Sequence, residues 1–303
     1  MKTNFTYPSM DGKTEIHAIE WKTDQVKAVL QISHGMIEFI DRYDRFANVL
    51  AQHGFVVVGN DHLGHGSSVT DDSQLGELVS NECVIEDIHQ LHTLTQKKYP
   101  DVPYFLLGHS MGSFLARQYI EQYGYTLNGA IIMGTGYQDP ATLAAGKALS
   151  TMIGKTKGWD HRSDLLANMA LGAYNKAFEP ARTKNDWLTR DEAIVDLYNA
   201  NPLNNFMFTA NSYLQLFRSI EDCEKPEHIA LIPKDLPILL VSGAMDPVGN
   251  FGKGVLQVYH SYQKAGLEHI SCKLYENCRH EILNELNHAQ VDQDIIDWLE
   301  SCM

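Results

Sequence analysis

Short apolar runs, each closed by turn residues, alternate along this chain with amphipathic segments, and that rhythm restricts its fold more than any other feature. The runs cover residues 26–32, 55–58, 104–107, 130–133, 238–241 and 270–275, and helical patterns fill 43–52, 83–98, 111–122 and 254–265. Strand and helix signals in alternation predict βα units and a mostly parallel sheet, an α/β architecture flanked by helices. The runs are continuously apolar, as strands covered on both faces must be. The rhythm stops between about Tyr137 and Pro233, where helix formers and nine aromatics replace it, and it resumes at Leu236. This divides the 303 residues into a core of 1–136 and 234–303 and a helical insertion of 137–233. The insertion is either a helical excursion with its own small core or a cap whose aromatics also line an apolar pocket.

The strand at 104–107 runs directly into Gly108-His109-Ser110-Met111-Gly112, and a helix follows. This is G-x-S-x-G in the setting its chemistry requires: strand, tight turn, helix. Ser110 must sit on a strained turn for its hydroxyl to project above the sheet. Glycines two residues to either side let strand and helix approach closely. The helix N-terminus then directs its dipole and free N–H groups at a developing oxyanion. A serine at an ordinary helix cap would not account for both glycines.

Serine attacks a carbonyl only when a neighbouring base takes its proton, and imidazole suits that task near neutral pH. An elbow of this type takes its acid and base from loops after late strands, in the order Ser, Asp or Glu, His. After the run at 238–241 comes Ser242-Gly243-Ala244-Met245-Asp246-Pro247, and after 270–275 comes Glu276-Asn277-Cys278-Arg279-His280-Glu281. Of fourteen histidines, His280 alone occupies the exit loop of the last strand. His89 and His92 read as surface residues of a helix. His260 and His269 belong to the last crossover helix or flank it, and His288 lies toward the C-terminal helix. An Asp-Pro pair is also a common turn, but position and order favour Asp246 as the acid.

A second oxyanion donor is expected on the loop after the run at 26–32, where His34-Gly35-Met36-Ile37-Glu38 follows Ser33. Gly35 lets the backbone turn inward, so the Met36 N–H should join that of Met111. His34 reads as an anchor for this loop. Asp61-His62-Leu63-Gly64-His65-Gly66 resembles a metal-binding cluster, but two glycines in six residues describe a tight loop better, and no fourth ligand is apparent. No metal is expected.

The formal charge of −14, from 24 basic and 38 acidic side chains, argues against nucleic-acid binding. It also opposes electrostatic docking to anionic lipid, while leaving room for a local apolar contact. Five scattered cysteines without a C-x-x-C pair suggest reduced thiols and neither zinc nor a disulfide framework. The N-terminus lacks a signal-peptide core, and no stretch approaches the roughly 20 apolar residues of a membrane span. A cytoplasmic location follows as the expectation.

Together these residues resemble the monoacylglycerol lipase and lysophospholipase family of α/β hydrolases. The likeness is strongest from Ser33-His34-Gly35 to Gly66, across Phe105 to Gly112, and at Gly243 to Asp246 with His280. It implies the α/β-hydrolase fold, a Ser110–Asp246–His280 triad, a helical cap lining an acyl tunnel, and no cofactor. It also matches Glu38 and Arg42 to positions near the polar end of the substrate, although a surface ion pair opening a helix would read the same way. The chain departs from the animal lipases at Met36, Phe39, Leu283 and Ser113, which touches the alcohol end of the pocket and leaves the triad intact. The expected reaction is hydrolysis of a small acyl ester, a monoacylglycerol, lysophospholipid or short- to medium-chain ester, through an acyl-enzyme. Thioesters, amides or peptides on the same fold are the alternative, and a non-catalytic small-molecule binder the more distant one. The aromatic insertion suggests transient contact with lipid aggregates or a membrane surface.

Overall fold

A computed structural model describes residues Met1–Met303. Eight strands form one sheet: β1 (Lys2–Pro8), β2 (Glu15–Trp21), β3 (Ala28–Ser33), β4 (Phe55–Asn60), β5 (Tyr104–His109), β6 (Gly129–Met133), β7 (Ile238–Gly243) and β8 (Ile270–Tyr275). Their spatial order is β1-β2-β4-β3-β5-β6-β7-β8. The first two strands pair antiparallel, as do β2 and β4, and the rest of the sheet is parallel. The helices of the core are α1 (Asp44–Gln52), α2 (Asn81–Lys98) and α3 (Met111–Tyr123), with α9 (Lys253–Lys264) and α10 (His288–Ser301) after the insertion. Between β6 and β7 lie α4 (Pro140–Lys157), α5 (Asp164–Leu171), α6 (Glu192–Ala200), α7 (Ala210–Asp222) and the single turn α8 (Pro226–Ile229). None of these helices is long and apolar enough to cross a membrane.

Period-two alternation along fully buried strands builds two cores. Val29, Val56, Val58, Leu106, Ile132 and Leu240 face α2, α3 and α9. Their chain neighbours Leu30, Val57, Phe105, Leu107, Ile131 and Leu239 face α1 and α10. The insertion joins the first core through Phe208, Tyr213, Phe217 and Ile220. Three of its helices, α4, α6 and α7, start on side-chain caps: Asp139 accepts the N–H groups of Ala141 and Thr142, Asp191 those of Ala193 and Ile194, and Thr209 that of Ser212.

The N-terminal segment, to which the sequence pattern assigns no element, is a hairpin of β1 and β2 whose outer strand is exposed or half-buried apart from Tyr7. Two sequence expectations need correction. β8 is not covered on both faces; it is an edge strand with alternate residues exposed. His92 is not a surface residue, being 2% exposed and edge-on to Tyr104 at 4.3 Å between ring centres. His89 is half-buried and stacks on Tyr123 at 3.8 Å.

Candidate active site

β5 delivers Ser110 at φ 54°, ψ −119°, a left-handed backbone that a non-glycine residue adopts only when its surroundings enforce it. The enforcement is visible on both sides. A Cβ on Gly108 would overlap the Gly112 carbonyl, and one on Gly112 would overlap the Ser33 and His34 carbonyls. The Ser110 N–H donates to Met133 O at 3.0 Å, and Ser113 donates twice to the Ser110 carbonyl, from N–H at 2.8 Å and from Oγ at 2.6 Å. Ser113, a departure from the family pattern, thus braces the turn. The hydroxyl of Ser110 itself is left out of these bonds.

His280 and Asp246 meet from the loops after β8 and β7. His280 Nδ1 and Asp246 Oδ2 lie 2.9 Å apart, and both residues are buried. Asp246 also accepts Ser242 Oγ at 3.1 Å and the Val248 N–H at 2.9 Å. These donors fix the carboxyl group in place, so that the imidazole turns Nδ1 toward Asp246 and its other ring nitrogen, Nε2, away from it. Trp187 packs on the imidazole from the insertion, at 5.0 Å between rings.

The loop after β3 approaches Ser110 closely. A Cβ built on Gly35 would stand 3.0 Å from Ser110 Cβ. Met36 N–H has no hydrogen-bond partner within the chain, and Met111, as the first residue of α3, contributes one of the unsatisfied donors of a helix start. Ile37 follows at φ 56°, and its carbonyl accepts the Tyr198 hydroxyl from α6 at 2.9 Å. Tyr198 is one of the insertion aromatics expected at a pocket, but its bond to Ile37 carried no signal in the sequence, because the two lie 161 residues apart.

Glu38 and Arg42 are engaged inside the protein. Glu38 accepts from the Gly35 N–H, from Arg42 Nη1 at 2.8 Å, from Tyr43 Oη at 3.0 Å and from His109 Nδ1 at 3.0 Å. Arg42 forms a bidentate pair with Glu281 at 2.8 and 2.7 Å, and its guanidinium lies 4.8 Å from the centre of the Tyr198 ring. Burial alone would raise the Glu38 carboxyl, but the His109 hydrogen bond and the charges of His109 and Arg42 outweigh it and hold it below the usual range. Burial pushes His109 down, and the bond and charge of Glu38 reverse this to leave it raised. Glu38 reaches the wall of the large cavity, whereas Arg42 does not.

His34, His62 and His65 pack ring to ring, 4.2 Å between the first pair. His34 Nδ1 donates to Gly35 O at 2.8 Å, and its Nε2 accepts the His62 N–H at 2.9 Å, which anchors the loop after β3 to the loop after β4. Burial lowers the basicity of all three rings. Asp61 holds His17 and the N–H groups of Ile40 and Ser67. No trio of His, Cys, Asp or Glu side chains is arranged to hold a metal ion.

A cavity of about 650 Å³, lined mainly by apolar side chains, opens above Ser110 and His280. Met36 and Met111 lie on its floor. Of the aromatics in the insertion, Tyr174, Trp187, Tyr198, Phe206, Tyr213 and Phe217 line it, while Phe208 is buried in the core.

The family described as serine aminopeptidase, S33 matches residues 24–287. A monoglyceride lipase of Mus musculus is 29% identical over 283 residues, 92% of this chain and 84% of its own length. A monoacylglycerol lipase of Mycolicibacterium smegmatis is 24% identical over 99% of this chain and 98% of its own. A carboxyl esterase from Bacillus coagulans, solved in complex with glycerol, superposes with a TM-score of 0.92 at 30% identity, covering 99% of this chain and 98% of its own. With the sheet order, the elbow and this likeness along nearly the whole length, the chain belongs to the serine aminopeptidase S33 family of α/β hydrolases.

Proposed function

We propose that Ser110, His280 and Asp246 are the catalytic triad of a lipid ester hydrolase, with the Met36 and Met111 N–H groups as its oxyanion hole. The chain is a carboxylic ester hydrolase. The observation that carries the site assignment is that Ser110, at a left-handed φ, and His280 line one largely apolar cavity, with His280 backed by the fully buried Asp246.

His280 Nε2 removes the Ser110 proton as Oγ attacks the acyl carbon, and Asp246 stabilises the imidazolium without taking the proton. The oxyanion gathers the two free N–H donors. His280 then protonates the departing alcohol, and water repeats the sequence to release the acid and restore Ser110. The cavity falls in the usual volume range of small-ligand sites and accepts the acyl part of a monoacylglycerol, a lysophospholipid or a short- to medium-chain ester.

An aminopeptidase must pair the substrate's ammonium group with a carboxylate. Glu38 and Glu281, the buried acids that line the cavity, are both already ion-paired with Arg42, and this favours an acyl ester over a peptide. A panel of p-nitrophenyl acyl esters, thioesters and aminoacyl amides ranks the classes by kcat/KM. The ester reading requires esters to lead, and Ser110→Ala must abolish both turnover and fluorophosphonate labelling. Retention of most activity by that variant overturns the mechanism.

Leu165 and Met169 are exposed on α5 beside the cavity, and through them the enzyme contacts lipid aggregates. Unchanged turnover of a lysolipid across its micelle-forming concentration counts against that contact. The five unpaired cysteines fit action in a reducing cytoplasm.

A further inference from the structure

Arg117 lies two turns beyond Ser110 on α3 and is 1% exposed. A buried guanidinium is costly to hold unless its donors are satisfied and its charge is balanced. Here the partners are neutral oxygens: Nη1 donates to Gly136 O at 3.1 Å and Thr135 Oγ1 at 3.4 Å, and Nη2 donates to Cys223 O at 2.9 Å. Thr135 and Gly136 are where the chain leaves β6 for the insertion. Cys223 closes α7, where the chain starts back toward the sheet. The negative end of the α7 dipole therefore meets the cation. One side chain thus binds both stems of an insertion more than eighty residues long.

Two further bonds act at the same place. Glu224 Oε1 accepts the Gln138 N–H at 2.9 Å, tying stem to stem. Ser219 on α7 donates to Gln118 on α3 at 2.8 Å. α7 also buries Tyr213, Leu214, Phe217 and Ile220. The opposite wall is held differently, since α5 buries only Leu166 and the turn Tyr174–Phe178 buries nothing.

We propose that Arg117 is a positioning residue that clasps both stems of the insertion to the nucleophile helix, making α7 the fixed wall of the cavity and leaving 164–178 as the side that yields to an entering acyl chain. The link to acyl selection rests on the reading of the cavity as the acyl site. Without the clasp, α7 shifts relative to Ser110. Long acyl chains, which need that wall, then bind less well, while a two-carbon acyl group needs only the floor.

Hydrogen exchange on the full-length protein tests the clasp independently of chemistry. In Arg117→Gln, exchange in α4 and α7 should rise about tenfold or more while β5 and β7 keep their protection. The KM for a dodecanoyl p-nitrophenyl ester should rise about fivefold, with kcat for the acetate within about twofold of wild type. Arg117→Lys, which keeps a cation and a donor, should fall between. Glu224→Ala removes only the stem-to-stem tie at a half-buried position, and it should loosen the same two helices more weakly. Unchanged α7 exchange in Arg117→Gln and Glu224→Ala, or a rise shared equally by β5 and β7, overturns the proposal. Loosening confined to the insertion in a protein that hydrolyses no acyl ester upholds the clasp and overturns the functional reading.

Discussion

Arg42 grips Glu281 with two hydrogen bonds, 2.8 Å from Nη1 and 2.7 Å from Nη2, and Glu281 is the chain neighbour of His280. The same guanidinium reaches Glu38 on the oxyanion loop at 2.8 Å. Two loops of the active site are therefore joined from below by one charge. Arg42→Ala leaves the buried Glu281 without its cation and Glu38 with only His109 to offset its charge, and breaking a buried pair this way costs about 3–5 kcal/mol. Urea unfolding should show that loss, with kcat falling more than KM changes. A loss under about 1 kcal/mol would mean that water already shares the network.

Asp246→Asn should preserve the fold and lower kcat by a factor on the order of 10⁴, because an amide N–H facing Nδ1 stabilises the wrong imidazole tautomer. KM for a short ester should stay near wild type. A drop of less than about tenfold would show that another acid orients His280.

Gly35→Ala places a methyl group 2.6 Å from Glu38 Oε1 and 3.0 Å from Ser110 Cβ, so the oxyanion loop must retreat. Loss of one oxyanion donor lowers kcat by about 10²–10³. The expected signature is that fall in single-turnover acylation with unchanged unfolding by urea.

Glu121 is buried with one oxygen unpartnered, and burial pushes its carboxyl up to about 8, against a partial offset from Arg117. Glu224 is raised to about 7 for the same first reason. An acid whose folded value exceeds its unfolded value is protonated in the native state while the unfolded chain has released its proton. The contribution of Glu121 to native stability therefore declines as pH rises from about 4.5 to about 8, and levels off above. Glu121→Gln should raise Tm at pH 8 and leave it nearly unchanged at pH 4.5. Equal Tm shifts at both pH values would show that the carboxyl titrates normally.

Five of the six parallel strands were legible because burial on both faces demands continuous apolar runs, while β8, at the sheet edge, was found without that cover; Ser110, Asp246 and His280 could be proposed together because each follows its own strand. β1 and β2 escaped because an edge hairpin needs few apolar residues, and its stabilising partners lie far along the chain. Glu20, for example, is buried only because Lys98 and Tyr99 meet it. His92 misled for a related reason, since helical periodicity does not reveal that Tyr104 covers that face. Tyr198 bonds one distant carbonyl and Arg117 two carbonyls on separate segments, contacts that leave no periodic trace in the chain.

Strands and insertion are not independent modules at this site. The His280 loop bonds to the insertion through Leu188 O, which accepts the Glu281 N–H at 2.7 Å, and through Thr189, which donates to Asn284 O at 2.9 Å. Tyr198 grips the oxyanion loop from the same side. An engineer who transplants a relative's insertion to change what this enzyme accepts will also detune how fast it reacts. Selectivity and rate have to be redesigned together.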